Sequence, residues 1–187
     1  GDGTMKEILG GKGAGLAEMT LIGLPVPAGF TITTQACAEY NNLGKRWPTG
    51  LEKQVREHVA RLEKVCRKKL GDPKNPLLVS VRSGAARSMP GMMETILNLG
   101  LNDQSVLGLA NSTKNPRFAW DSYRRFIQMY STVVVGLSKD TLEGKLHALK
   151  HGLNIQSDTD IPADMLRQLC GEFKSFFREQ TGKDFPQ

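Results

Sequence analysis

The sequence predicts a mixed α/β (α+β) fold, with a small sheet toward the front and a helix-rich second half. Three observations lead there. Leu77-Leu78-Val79-Ser80-Val81-Arg82 is a short, nearly continuous apolar run and reads as a buried strand. Phe30-Thr31-Ile32-Thr33 alternates and is rich in β-formers. Beyond Asn115-Pro116, apolar residues recur at helical spacing in three successive stripes.

Taken in order, residues 4–30 hold a short apolar stretch, a Gly-rich loop, a helix from about Ala14 to Leu21 and a Pro-rich turn, Gly23-Leu24-Pro25-Val26-Pro27-Ala28-Gly29, that cannot continue a helix. After the strand at Phe30–Thr33, Thr34 can cap a helix through Tyr40. Over residues 51–70, Leu51, Val55, Val59, Leu62, Cys66 and Leu70 fall near one helical face. Gly71-Asp72-Pro73 ends that helix, and the strand Leu77–Arg82 follows. In the second half Phe118, Tyr123, Phe126, Ile127, Tyr130 and Val134 form one stripe and Leu142, Leu146 and Leu149 another. Leu166, Leu169, Cys170, Phe173 and Phe177 form the third, with Pro162 placed near its start.

The bulk numbers are those of an ordinary globular chain. The 187 residues suffice for a domain with a core, and 39% hydrophobic with 24% charged residues argues against disorder. The longest apolar run, Thr132–Leu137, is far below the roughly 20 residues of a spanning helix, so no membrane partner is expected. The formal charge of +6 suits an anionic ligand and equally a nucleic acid. The clusters Arg67-Lys68-Lys69 and Arg124-Arg125 read as solvated helix faces. Cys37, Cys66 and Cys170 lie far apart without metal-ligand spacing, which fits a reduced, intracellular protein of cytoplasm or organelle. The chain opens Gly1-Asp2-Gly3-Thr4 without an initiator Met, so a removed start or a piece of a longer protein is expected.

Two segments carry chemistry. In Gly10-Gly11-Lys12-Gly13-Ala14-Gly15, glycines let backbone N–H groups approach an anion, the following helix start adds positive potential, and Lys12 adds a full charge. This is not a P-loop, because the two diagnostic places are occupied by Lys6 and Gly13. A plain turn before a helix remains the other reading. Arg82 ends the apolar strand just before Ser83-Gly84, where α/β proteins place ligands, and its guanidinium matches phosphate oxygens. A structural Arg paired with a core carboxylate is the alternative. Met89-Pro90-Gly91-Met92-Met93 reads either as a turn with Met filler or as an apolar wall for a flat base, with Gly91 letting the backbone come close. His58, His147 and His151 fall in helices, and no third ligand completes a metal site with the last two, so no metal ligand is assigned.

Leu9–Met19 with Gly23–Phe30, and Ser80–Gly84 with Ser88–Leu101, together closely resemble the N-terminal ATP-binding domain of the pyruvate, phosphate dikinase family. Asn115–Tyr130 resembles it again. Phosphoenolpyruvate synthases and rifampicin phosphotransferases share the Gly-Gly-Lys loop and the Val-Arg-Ser strand end but not the Met-Pro-Gly-Met-Met continuation. The resemblance implies that residues 1–187 are the first lobe of an ATP-grasp domain. It implies a reaction converting ATP, pyruvate and phosphate to AMP, phosphoenolpyruvate and diphosphate, by way of a histidine on a swivelling domain. Lys12 and Arg82 then match the residues that hold the triphosphate and neutralise its charge during transfer. Gly13, Ser83, Gly84 and Gly91 would line the nucleotide, and Met93 would lie near the base. Mg2+ would be held by carboxylates of a second lobe expected after Gln187, with the phosphohistidine domain and the pyruvate barrel beyond it. The lobe alone is expected to be inactive, and the whole enzyme to dimerise through other regions.

Two readings of other classes stand beside it. A basic nucleic-acid-binding module accounts for the charge but not for the two glycine-containing loops. A docking role for the helical half, through Arg124 and Arg125, would be additional to nucleotide binding.

Overall fold

A computed structural model describes residues 1–84 and 94–187. The chain divides into two compact units, one of residues 1–67 and 82–94, the other of residues 68–81 and 95–187. The observed class is the expected one: helix-rich, with two small sheets.

The first unit carries α1 (Lys6–Leu21), α2 (Thr34–Asn42) and α3 (Leu51–Cys66). Helix α1 begins earlier than the glycine content suggests. Lys6–Leu9 already form a turn, Gly10 breaks it with φ 70° and ψ 167°, and helical geometry resumes at Gly11. The strand expected at Phe30–Thr33 does not form. Strand propensity is realised only against a pairing neighbour, and among the described residues none pairs with this segment. Its end is used as a cap instead: the Thr33 hydroxyl, not that of Thr34, accepts from the Ala36 amide at 3.3 Å. Helix α3 keeps the expected periodicity. Leu51, Val55, Val59, Leu62 and Cys66 are half-buried, while the Glu52–Arg56 and Lys53–Glu57 pairs sit in solvent one turn apart. It ends at Arg67, in the left-handed region at φ 52°, one turn sooner than Leu70 would require. Burial in this unit is slight: Leu21, Ile22, Leu24, Ile32, Trp47 and Val65 are each at least half exposed.

The second unit contains β1 (Lys69–Leu70) paired in parallel with β2 (Pro76–Leu77). Strand β3 (Val79–Arg82), whose last residue belongs to the first unit, pairs with β4 (Thr95–Leu99). The single buried strand expected over Leu77–Arg82 is therefore two short ones interrupted at Leu78. Pro76 and Leu77 are buried, but Ser80, Val81 and Arg82 are exposed. An apolar run marks a strand; it does not decide which of its faces finds a cover.

Helix α4 (Ser105–Thr113) escapes periodicity because Ser, Gly, Asn and Thr dilute its pattern, yet its start is well specified. The Asn102 carboxamide accepts from the Gln104 and Ser105 amides at 2.9 and 2.7 Å, and the Ser105 hydroxyl accepts from the Asn102 amide at 2.7 Å. Helix α5 (Pro116–Met129) opens as the sequence suggests, with Pro116 in its first turn and the Asn115 side chain accepting from the Phe118 amide at 3.0 Å. A π-helical turn at Tyr130–Val134 follows, then α6 (Lys139–Gly152) and α7 (Ala163–Thr181).

The core lies where α5 packs on α7, with α4 and α6 beside them. Tyr123, Ile127, Leu142, Leu166 and Phe173 are fully buried, as their stripes predict. Phe118 and Val134, assigned to the α5 stripe, instead face solvent, because the stripe drifts at the helix start and is re-aimed by the π turn. After Gly182 closes α7, the chain doubles back so that the Phe185 ring meets those of Phe126, Tyr130 and Phe177 edge-on, at 5.3–5.9 Å. Cys170 is buried within this core and its thiol is pushed up to about 12 by desolvation. Alkylation at pH 8 is therefore expected to label exposed Cys37 rapidly and Cys170 only on unfolding, a contrast read by mass spectrometry of denaturant-treated and untreated samples.

One ionic cluster runs through this unit. The Arg124 guanidinium donates to one Asp121 oxygen at 2.7 and 3.0 Å, and Arg125 reaches the other oxygen at 3.1 Å. Arg124 also approaches Asp158 at 3.5 Å, where Lys150 binds at 2.9 Å, so α5 and α6 are tied to the turn at Asp158–Asp160. Burial pushes the Asp158 carboxyl up, but the Lys150 hydrogen bond and the Arg124, Lys150 and Arg125 charges outweigh it and hold it below the usual carboxylate value. Arg124, with 3% of its side chain exposed, is not part of a solvated face; of the pair only Arg125 reaches solvent.

Candidate phosphate-binding site

The Gly-rich segment forms a defined turn. Gly10 occupies a region of backbone space open essentially to glycine alone, and it is buried. The turn-then-helix geometry therefore depends on that one residue. Past it, Gly11, Lys12 and Gly13 are the first residues of a fresh helical run that continues to Leu21. Amides at such a start point outward along the helix axis without partners from within it, and the Lys12 ammonium adds a full positive charge beside them. Lys12 is half-buried and makes no ion pair among the described residues. Replacing Gly10 by alanine is expected to cost about 1–3 kcal/mol in the first unit and to misplace the turn, checked by urea unfolding followed at Trp47.

Gly13 is needed for close approach. A methyl group there would meet the Leu9 Cβ and the Thr31 Cγ2, each at 3.2 Å. The segment after the Pro-rich turn thus packs directly on the start of the helical run. At the next residue, Ala14 is fully buried, so one face of the run is held while Lys12 keeps access to solvent.

Arg82, Ser83 and Gly84 lie in the same unit as Lys12 and Gly13. Arg82 is exposed and makes no ion pair among the described residues, so it is not the core-paired arginine of the alternative reading. Its position still follows from local structure, because β3 pairs with β4 and the strand end is pinned one residue later. There the Ser83 amide and hydroxyl both donate to the Glu94 carbonyl, at 3.0 and 2.9 Å. The Ser83 proton is thereby committed to the Glu94 carbonyl, leaving the hydroxyl oxygen as an acceptor. Among the described residues, no atom would crowd a β-carbon at Gly84. Gly91 and Met93, expected near the nucleotide, lie outside the described residues.

One feature of this unit carries none of the expected site residues. A cavity of about 400 Å3 is lined by Ala28, Gly29, Phe30, His58, Arg61, Leu62 and Val65. His58 stacks obliquely with Phe30, ring centroids 5.4 Å apart, and its Nδ1 lies 2.8 Å from the Gln54 carbonyl. Positions 58, 61, 62 and 65 share a helical face, a pattern visible in the sequence but indistinguishable there from an ordinary core stripe. His147 and His151 are exposed on α6, and no group of three His, Cys, Asp or Glu side chains that could hold a metal ion exists among the described residues. Nor is any helix among them long and apolar enough to cross a membrane.

Comparison with known proteins places this arrangement in a class. Residues 6–46, which include the Gly10 break, Lys12 and the Thr31–Thr34 segment, match the family described as pyruvate phosphate dikinase, AMP/ATP-binding domain. Over its full length the chain is 53% identical to a pyruvate, phosphate dikinase of Clostridium symbiosum, covering 22% of that protein. It is 52% identical over 97% of its length to the Giardia intestinalis enzyme, covering 20% of it. Over its whole length it is 50% identical to the chloroplastic pyruvate, phosphate dikinase 1 of Arabidopsis thaliana, covering 19%. The chain is thus similar over nearly its whole length to pyruvate, phosphate dikinases, and it spans about a fifth of the length of these relatives.

Proposed function

We propose that this chain is the first lobe of an ATP-grasp domain and holds the triphosphate of ATP in a pyruvate, phosphate dikinase. The observation that carries the reading is the Gly10 break, after which a helical run starts at Gly11-Lys12-Gly13, with a half-buried lysine in its first turn that has no ion pair among the described residues. Arg82 is the second cation, set at a strand end with its charge uncommitted among the described residues. Both act by neutralising phosphate charge, so their contribution to pyrophosphoryl transfer is electrostatic and requires no proton transfer. In this proposal Gly13, Ser83, Gly84 and Gly91 line the nucleotide, while Met93 serves the base.

The described residues do not fit a magnesium ion, because no acidic cluster lies among them. The metal in this proposal belongs with carboxylates of a second ATP-grasp lobe. A swivelling phosphohistidine domain takes the pyrophosphoryl group, a further domain serves pyruvate, and the whole enzyme is a homodimer. By itself the chain holds nucleotide without completing turnover. Calorimetric titration with Mg-ATP, tripolyphosphate and adenosine, in the parent chain and in Lys12→Ala and Arg82→Ala, tests the proposal. Binding that follows the phosphates supports it; binding that follows adenosine and ignores both substitutions overturns it.

A further inference from the structure

Thr31, from the segment that does not become a strand, and Thr34, the first residue of α2, touch the chain on the two sides of the Gly10 break. On the N-terminal side, the Thr34 hydroxyl donates to the carbonyl of Glu7, across 27 positions of sequence. On the C-terminal side, Thr31 lies against Gly13, so closely that a β-carbon on Gly13 would come within 3.2 Å of the Thr31 methyl and 3.3 Å of its hydroxyl. Carbonyls of a turn followed by a residue with non-helical dihedrals need partners from outside the helix, and Thr34 supplies one to Glu7. Thr34 is itself fixed, standing directly after Thr33, whose hydroxyl caps α2. Helices α1 and α2 pack together in the same unit. One four-residue segment, Thr31–Thr34, thus touches the chain three residues before and three residues after Gly10.

We infer that Thr34 is a positioning residue for the phosphate-binding turn: through the Glu7 carbonyl, and with Thr31 against Gly13, it fixes the direction of the Gly11–Gly13 amides and of Lys12. The role rests on the triphosphate reading for its functional meaning, but the clamp is a property of the unliganded chain. Thr34 touches no phosphate. It acts by keeping the turn in one arrangement, so that binding does not bear the cost of ordering it.

The test separates the two. Thr34→Val keeps the shape and removes the donor; Thr34→Ser keeps the donor. Amide hydrogen exchange of the intact chain is expected to accelerate about tenfold in Thr34→Val at Gly15–Glu18, the first amides bonded within the helical run that starts at Gly11, to stay near the parent rate in Thr34→Ser, and to remain unchanged in α3 and α7. Affinity for tripolyphosphate should fall about tenfold in Thr34→Val alone, with adenosine unaffected. Unchanged exchange at Gly15–Glu18 in Thr34→Val overturns the clamp. Faster exchange with unaltered tripolyphosphate affinity overturns its link to phosphate binding and leaves Thr34 structural. Should tripolyphosphate bind the parent and Lys12→Ala chains alike, the triphosphate reading fails, and the exchange data still decide the clamp.

Discussion

Replacing Asp121 by alanine will destabilise the helical unit by about 3–5 kcal/mol. The Asp121 carboxylate is 11% exposed and is the direct partner of Arg124, whose side chain is 3% exposed. Removing the anion leaves a guanidinium that cannot reach water and that retains, among the described residues, only Asp158, at 3.5 Å, and the Gln128 carboxamide, at 3.2 Å. The expected loss is thus mostly the penalty of an uncompensated buried charge, not the strength of the bond removed. Two controls follow from that distinction. Asp121→Leu combined with Arg124→Met removes both charges and should recover most of the loss. Arg125→Ala removes a partner that is 51% exposed and should cost under about 1 kcal/mol. Urea denaturation followed by the fluorescence of Trp120, in a Trp47→Phe background, isolates the unit in question. A cost for Asp121→Ala no greater than that for Arg125→Ala would show that the cluster is solvated and does not organise α5, α6 and the Asp158–Asp160 turn.

That cluster is also where the sequence misleads. Arg124-Arg125 reads as a solvated face because adjacent charges on a helix usually are one, and the 100° between neighbours is what sends one inward and the other out. The α5, α6 and α7 stripes were legible because each helix buries one face against its neighbours, so Tyr123, Leu142, Leu166 and Phe173 were placed from spacing alone. The first unit was less legible, for two reasons. Phe30–Thr33 carries strand propensity, but propensity supplies no partner, and the segment was put to use against α1. Glycines at positions 10, 11, 13 and 15 read as a loop, whereas a single one of them departs from helical geometry. Lys12 and Arg82 are legible as candidates because an anion site requires cations next to backbone freedom. The contacts of Thr31 with Gly13 and of Thr34 with Glu7 are not, since nothing in the spacing of these residues shows that they meet.

Lys12→Ala and Arg82→Ala should each weaken binding of tripolyphosphate and of Mg-ATP by about ten- to a hundredfold, the equivalent of one charge-assisted hydrogen bond. Their environments predict different behaviour in detail. Lys12 is half-buried against a helix start, where salt screens weakly, so its contribution should persist as ionic strength rises. Arg82 is exposed, and its contribution should shrink between low and physiological salt. Lys12→Arg places a larger fork beside a crowded Gly13 and should restore little, whereas Arg82→Lys, in open surroundings, should restore part of the charge term without the bidentate geometry. Adenosine, which carries no phosphate, should be indifferent to all four substitutions. The salt dependence also discriminates against a nucleic-acid role. A triphosphate site engages few charges and gives a shallow slope, while a duplex or single strand laid along the basic surface of a +6 chain would give a steep one. If RNA binds with a steep slope that neither Lys12→Ala nor Arg82→Ala diminishes, while tripolyphosphate does not bind at all, the site belongs to a different chemistry from the one proposed.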